Sequence, residues 1–152
     1  MIFDRQFDHT ALYDFFDHNN DKFSSNLHDQ ISRSGNGSLK QYIEKLCTKG
    51  TIACEKDESG NILGAVIGYT HDLPENKASY ITYVLVGKEY RGRGIFSRLM
   101  AEYEAHCRSN DVRSMWLTTG KKNVAAQQAY EKMGFVLRGE YSETMVKYEK
   151  IL

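Results

Sequence analysis

Ser79-Tyr80-Ile81-Thr82-Tyr83-Val84-Leu85-Val86 leads through Gly87–Arg93 into a stretch where Ile95, Leu99, Met100, Tyr103 and Cys107 recur at helical spacing. The run to Val86 is β-branched and aromatic throughout, which predicts a strand covered on both faces at the centre of a sheet. On its N-terminal side, Thr51–Lys56, the turn Asp57-Glu58-Ser59-Gly60-Asn61 and Ile62–Thr70 predict a hairpin. Before that, Leu39, Tyr42, Ile43, Leu46 and Cys47 form one apolar stripe. Ser38 with Gln41 three residues on predicts a capping box that opens this helix, and Gly50 stands where it should close. Ala11, Leu12, Phe15 and Phe16 predict an earlier short helix, followed by a polar stretch, 17–38, ending in a loop rich in turn formers, 32–38. On the C-terminal side come a strand at Ser114–Thr119, a helix from about Val124 to Met133 stopped by Gly134, and a second hairpin, Phe135–Tyr141 with Thr144–Tyr148. This order predicts an α/β (α+β) fold with a mixed, mostly antiparallel sheet flanked by helices.

The chain has 152 residues, which fits one domain spanning 1–152. Its 20 Lys and Arg balance 20 Asp and Glu, so the strong positive field of a non-specific nucleic-acid or anionic-membrane binder is missing. No apolar run approaches the ~20 residues of a membrane span. The start, Met1–Gln6, lacks the layout of a signal peptide, so a cytoplasmic protein is expected. Cys47, Cys54 and Cys107 form no CxxC or Cys/His cluster and read as reduced, buried small hydrophobes. His9, His18, His28, His71 and His106 show no ligand spacing, and no metal is expected. Trp116, in its strand, reads as core. Phe3, Phe7, Phe15, Phe16 and Phe23 read as packing, since basic residues do not alternate with them.

Arg91-Gly92-Arg93-Gly94 falls between a strand and a helix, and that context gives the turn its chemistry. Glycines let the backbone approach an anion closely, and the first amides of a helix point out of its positive end. One interpretation is a phosphate cradle. The other is a tight turn with solvated arginines. No Gly-Lys-Ser/Thr follows, so this is not a Walker A loop. The third glycine of a dinucleotide fingerprint is also missing, with Arg98 at the nearest position past Ser97.

Some thirty residues later, Asn123-Val124-Ala125-Ala126-Gln127-Gln128-Ala129-Tyr130-Glu131-Lys132-Met133-Gly134-Phe135 follows a strand, runs through a short helix and enters the next strand. Together with the arginine–glycine turn, this resembles the GCN5-related N-acetyltransferase family over roughly Ile62 to Tyr141. The resemblance implies an acyl-CoA N-acyltransferase-like fold, with residues 51–152 as cofactor-binding core and 1–50 as variable helices on the acceptor side. Arg91 and Gly94 match the family's Arg/Gln-x-x-Gly-x-Gly/Ala pattern for the pyrophosphate of acetyl-CoA. The amides of Gly92, Arg93, Gly94, Ile95, Phe96 and Ser97 are then expected to face that group. Phe96 stands where the family has Gly or Ala. Val84, Leu85 and Val86 are implied as backbone contacts of the pantetheine arm, with the amide near Leu85 or Val86 polarising the thioester. Asn123 is implied as a cofactor contact or as the cap of the helix carrying Tyr130.

Tyr130 matches the tyrosine that protonates the departing thiolate, a role its chemistry suits, since a phenol of ordinary pKa ≈ 10 stays protonated at pH 7. The resemblance implies direct attack of a primary amine in a ternary complex with acetyl-CoA. A small-molecule amine such as an amino sugar is the expected acceptor. A protein N-terminus or lysine, or a non-catalytic acyl-CoA-binding module, are the alternatives. Tyr83, Thr118 and Thr119 are candidates for the acceptor side, and Glu44 and Asp29 for a base acting through water. No nucleic-acid or membrane partner is expected, and the state is monomer or homodimer.

Overall fold

The structure, a computed structural model, describes residues 2–3, 9–20, 31–35, 37–71 and 75–152. Asp29, His28, Phe7, Phe23 and part of the 32–38 loop lie outside the described residues. The elements are β1 (Ile2–Phe3), α1 (His9–His18), α2 (Leu39–Lys49), β2 (Thr51–Lys56), β3 (Ile62–His71), β4 (Ala78–Val86), a 3₁₀ turn (Lys88–Tyr90), α3 (Ile95–Ser109), β5 (Ser114–Gly120), α4 (Val124–Lys132), β6 (Val136–Glu140) and β7 (Met145–Ile151). Among the described residues the strands follow the order β1-β2-β3-β4-β5-β7-β6, so β4 is the middle one of these seven, as its composition predicts. β1–β2, β5–β7 and β6–β7 pair antiparallel, and β4–β5 pairs parallel. The mixed sheet with flanking helices is therefore as expected. By contacts the chain divides into two compact units, Met1–Ile67 with Tyr83–Tyr103, and Gly68–Thr82 with Glu104–Leu152.

In the first unit, α1 and α2 bury Leu12, Phe16, Leu39, Ile43 and Leu46. Tyr83 of β4 meets Phe16 and Tyr42 edge-on, with ring centroids 5.4 and 6.1 Å away. The capping box forms: Gln41 N–H donates to Ser38 Oγ (3.2 Å) and Ser38 N–H to Gln41 Oε1 (2.9 Å). Gly50 closes α2 through its N–H to Leu46 O, with an extended φ of −86° instead of a left-handed one. The β2–β3 turn is set by Asp57 Oδ1, which accepts the N–H groups of Ser59 and Asn61, both at 2.9 Å. Gly64 on β3 has a direct bearing on the site. A Cβ there would lie 2.9 Å from Ile95 Cγ2 and 3.2 Å from Leu99 Cδ1, so a bare glycine lets the first turns of α3 rest on the strand.

In the second unit, β5 and β7 pair from Ser114↔Ile151 to Gly120↔Met145, around Met115, Leu117 and Tyr148. A register shift between Leu137 and Gly139 marks a bulge in β6. The β4–β5 ladder runs from Ala78↔Ser114 to Tyr80↔Trp116. Among the described residues it spans three pairs, which leaves the rest of β4 outside it.

Four expectations need correction. β1 is an additional strand. Tyr83, Val84 and Val86 are half-buried, so the second half of β4 is not covered on both faces. Trp116 is half-buried, stacked on Tyr80 at 4.1 Å with Lys147 Nζ 4.6 Å over its ring, rather than core. In the last hairpin, Phe135 is buried but precedes the strand, and β7 continues to Ile151.

Candidate active site

At the end of β4 the chain turns sharply. Gly87 N–H donates to Leu63 O (2.8 Å) and Tyr90 N–H returns to Gly87 O (2.9 Å), closing the 3₁₀ turn. Gly92 and Gly94 then take φ of +76° and +75°. At Gly92 nothing lies within 4 Å of a built Cβ, so backbone angle and not crowding selects glycine. Gly94 O accepts the N–H of Arg98 (3.1 Å), which starts α3 on a residue with no side chain to cap it. The first-turn amides of this 15-residue helix point out of its positive end.

Val84, Leu85, Val86, Tyr90, Arg91, Gly92, Gly94, Ile95 and Phe96 line one groove of about 520 Å³ at this helix end. The structure thus brings together eight of the expected cofactor contacts. Arg93 and Ser97 are exposed members of the same turn, and Arg93 stacks over the Tyr90 ring at 5.5 Å. Sequence reasoning missed Tyr90. Its signal was an aromatic residue inside an otherwise Gly/Arg turn. It also missed Arg98, whose Nη1 donates to Arg93 O (2.9 Å) while Nε and Nη2 hold Glu55 Oε2 and Oε1 at 3.2 and 2.9 Å.

Asn123 and Tyr130 belong to the second unit. Asn123 caps α4, its Oδ1 accepting from Ala126 N–H at 3.2 Å. Gln127 Nε2 ties the helix to the end of β5 through Gly120 O (2.9 Å) and Lys121 O (3.0 Å). The Tyr130 ring packs against Phe135 and Tyr148, with centroids 5.8 and 6.4 Å apart. Burial pushes its phenol up to about 12, so the group carries its proton throughout the physiological range. Tyr148, fully buried, donates to Glu131 Oε1 at 2.9 Å, and burial raises its pKa too. Thr119 is buried and Thr118 half-buried on β5. Glu44 does not reach the groove. It lines a separate cavity of about 200 Å³ with His9, Thr10, Tyr13, Lys40 and Ile43.

Cys47, Cys54 and Cys107 are buried free thiols. Burial pushes Cys54 and Cys107 up to about 11, which withholds the thiolate a covalent acyl transfer needs. Among the described residues no three His, Cys, Asp or Glu side chains come together in a metal-binding group, and no helix is long and apolar enough to cross a membrane.

The fold has known counterparts. An acetyltransferase of the GNAT family from Staphylococcus aureus Mu50 is similar over 100% of this chain and 98% of that one, with 19% identity and a TM-score of 0.72. An acetyltransferase of the same family from Streptococcus pneumoniae matches over 100% and 99%, at 19% identity and TM-score 0.70. A GNAT family acetyltransferase from Elizabethkingia anophelis with acetyl-CoA bound matches over 74% and 83%, at 20% identity and TM-score 0.60. Comparison with curated proteins by sequence gives no match. The family model described as Acetyltransferase (GNAT) family matches residues 12–135, a span that includes the groove, the α3 turn and Tyr130, and the chain belongs to that family.

Proposed function

We propose that this acetyltransferase binds acetyl-CoA in the β4–α3 groove and transfers its acetyl group to a small primary amine, such as an amino sugar. One observation carries the reading: the N-terminus of α3, approached through two left-handed glycines, stands at the end of a groove walled by Val84–Val86. Phosphate oxygens would accept the first-turn amides, helped by the helix dipole and Arg91. The pantetheine arm would run along β4, where the ladder to β5 covers only Ala78–Tyr80 among the described residues. The acetyl-CoA held by the similarly folded E. anophelis protein supports this choice of donor. The family match crosses both compact units, which supports reading 1–152 as one catalytic domain.

In this mechanism the neutral amine attacks the thioester carbonyl, forming the C–N bond of a tetrahedral intermediate whose collapse breaks the C–S bond. The amide near Leu85 or Val86 stabilises the oxyanion. The amine's proton leaves to water or a base, and Tyr130 gives its phenolic proton to the coenzyme A sulfur before regaining one from solvent. Balanced net charge fits a small acceptor better than a polyanion such as tRNA. The protein is read as cytoplasmic, as a monomer or homodimer.

A screen of amines for thiol release from acetyl-CoA, with the acetylated product identified by mass spectrometry, tests the reading. Amine-dependent release with an amino sugar is the expected result. Release only with peptides would move the acceptor to a protein N-terminus or lysine. Acetyl-CoA binding without release for any amine would leave a binding module.

A further inference from the structure

We propose that Arg98 is a positioning residue for the phosphate-binding turn, fixing the direction in which the Gly94 amide points. The proposal rests on the acetyl-CoA reading above and deepens it. Arg98 Nη1 holds Arg93 O at 2.9 Å, and the other edge of the guanidinium grips the Glu55 carboxylate of β2 through Nε (3.2 Å) and Nη2 (2.9 Å). Arg93 C=O and Gly94 N–H are the two ends of one planar trans peptide and point in opposite directions. Holding the carbonyl toward Arg98 therefore turns the Gly94 N–H the other way.

This peptide needs an external hold. A flip would turn it about Arg93 ψ and Gly94 φ, and Gly94, at φ +75°, accepts either sign of φ with similar ease. A flip of the peptide would exchange the N–H for a carbonyl oxygen, which repels phosphate. The clamp supplies orientation and not charge, because Glu55 neutralises the guanidinium. It also supplies little stability, since the pair is exposed, 53% on Arg98 and 33% on Glu55. The planar fork is essential: one lysine ammonium cannot grip a carboxylate with two parallel bonds and hold a carbonyl on its other edge.

The test compares coenzyme A with pantetheine, which lacks the pyrophosphate and nucleotide, in titrations of wild type, Arg98→Lys and Arg98→Gln. Both variants should fold with nearly unchanged Tm, bind coenzyme A about tenfold to a hundredfold more weakly, and bind pantetheine as wild type does. In turnover, KM for acetyl-CoA should rise while kcat stays. Glu55→Gln should shift coenzyme A affinity in the same direction by less, since its amide oxygen keeps one acceptor. Arg98→Lys with wild-type coenzyme A affinity would show that charge and not the fork matters, and would overturn the proposal. An equal loss for pantetheine would do the same. Wild type that binds the two ligands equally would instead refute the phosphate-cradle reading, and this proposal with it.

Discussion

Replacing Tyr130 by Phe removes one oxygen from a ring that packs against Phe135 at 5.8 Å and Tyr148 at 6.4 Å. Those ring contacts survive, so the stability cost is that of one hydroxyl, about 0.5–1.5 kcal/mol. For a chain of this size, that moves Tm by a few degrees. Loss of a positioned general acid is larger: turnover should fall by about 10²–10⁴, or roughly 3–5 kcal/mol on the barrier. Because burial holds the phenol at about 12, wild-type activity should show no alkaline loss from this group below about pH 11. Between pH 6 and 9 the rate should instead rise as the acceptor amine loses its proton. The assay is thiol release at saturating acetyl-CoA with an established acceptor, beside a thermal melt and the KM for acetyl-CoA. Wild-type kcat in Tyr130→Phe, with Tm lowered by several degrees, would refute the acid role and leave Tyr130 a packing residue.

Gly94→Val should abolish coenzyme A binding in a folded protein, since a branched residue at φ +75° is strained by about 1–2 kcal/mol or more and its Cβ meets Arg98 Nη1 at 3.3 Å; calorimetry checks it. Phe96→Gly should keep coenzyme A affinity within a few-fold while lowering Tm, because glycine costs about 1 kcal/mol in a helix and an apolar groove contact is lost. Stability should fall at alkaline pH. Burial raises Cys54 and Cys107 to about 11 and Tyr130 to about 12, so each favours the folded state fully below its ordinary value. That contribution is lost as pH climbs from about 9 toward 12, so melts across this range should show a steadily falling Tm, and a constant Tm would contradict the burial of these groups.

The strand–turn–helix around Gly87–Gly94 was legible because its signals are local: a β-branched run, a Gly/Arg turn and a helical stripe in succession. The capping box at Ser38 was legible for the same reason. What escaped depends on distant partners. β1 has two residues and no period to read. The polar run to Ile151 is a strand because it pairs with β5 as far as Ser114, which nothing local announces. Phe135 extends a β-like run, yet its N–H turns back to Tyr130 O with that of Met133, so the strand starts one residue later. Trp116 reads as core by residue type, while it is half-buried among the rings of Tyr80 and Tyr141 and the Lys147 ammonium. Arg98 could be seen as a missing glycine but not as a clamp, since Glu55 lies 43 residues away.

The proposed site has two parts: the backbone turn opening α3 cradles the pyrophosphate of acetyl-CoA, and β4 carries its pantetheine arm. Backbone amide NMR reads both parts in one titration. Coenzyme A should shift the amides of Gly92, Gly94, Ile95 and Ser97 together with those of Val84 and Val86, whereas pantetheine should shift Val84 and Val86 and leave the turn in place. Shifts from coenzyme A that spare residues 92–97 would contradict the claim.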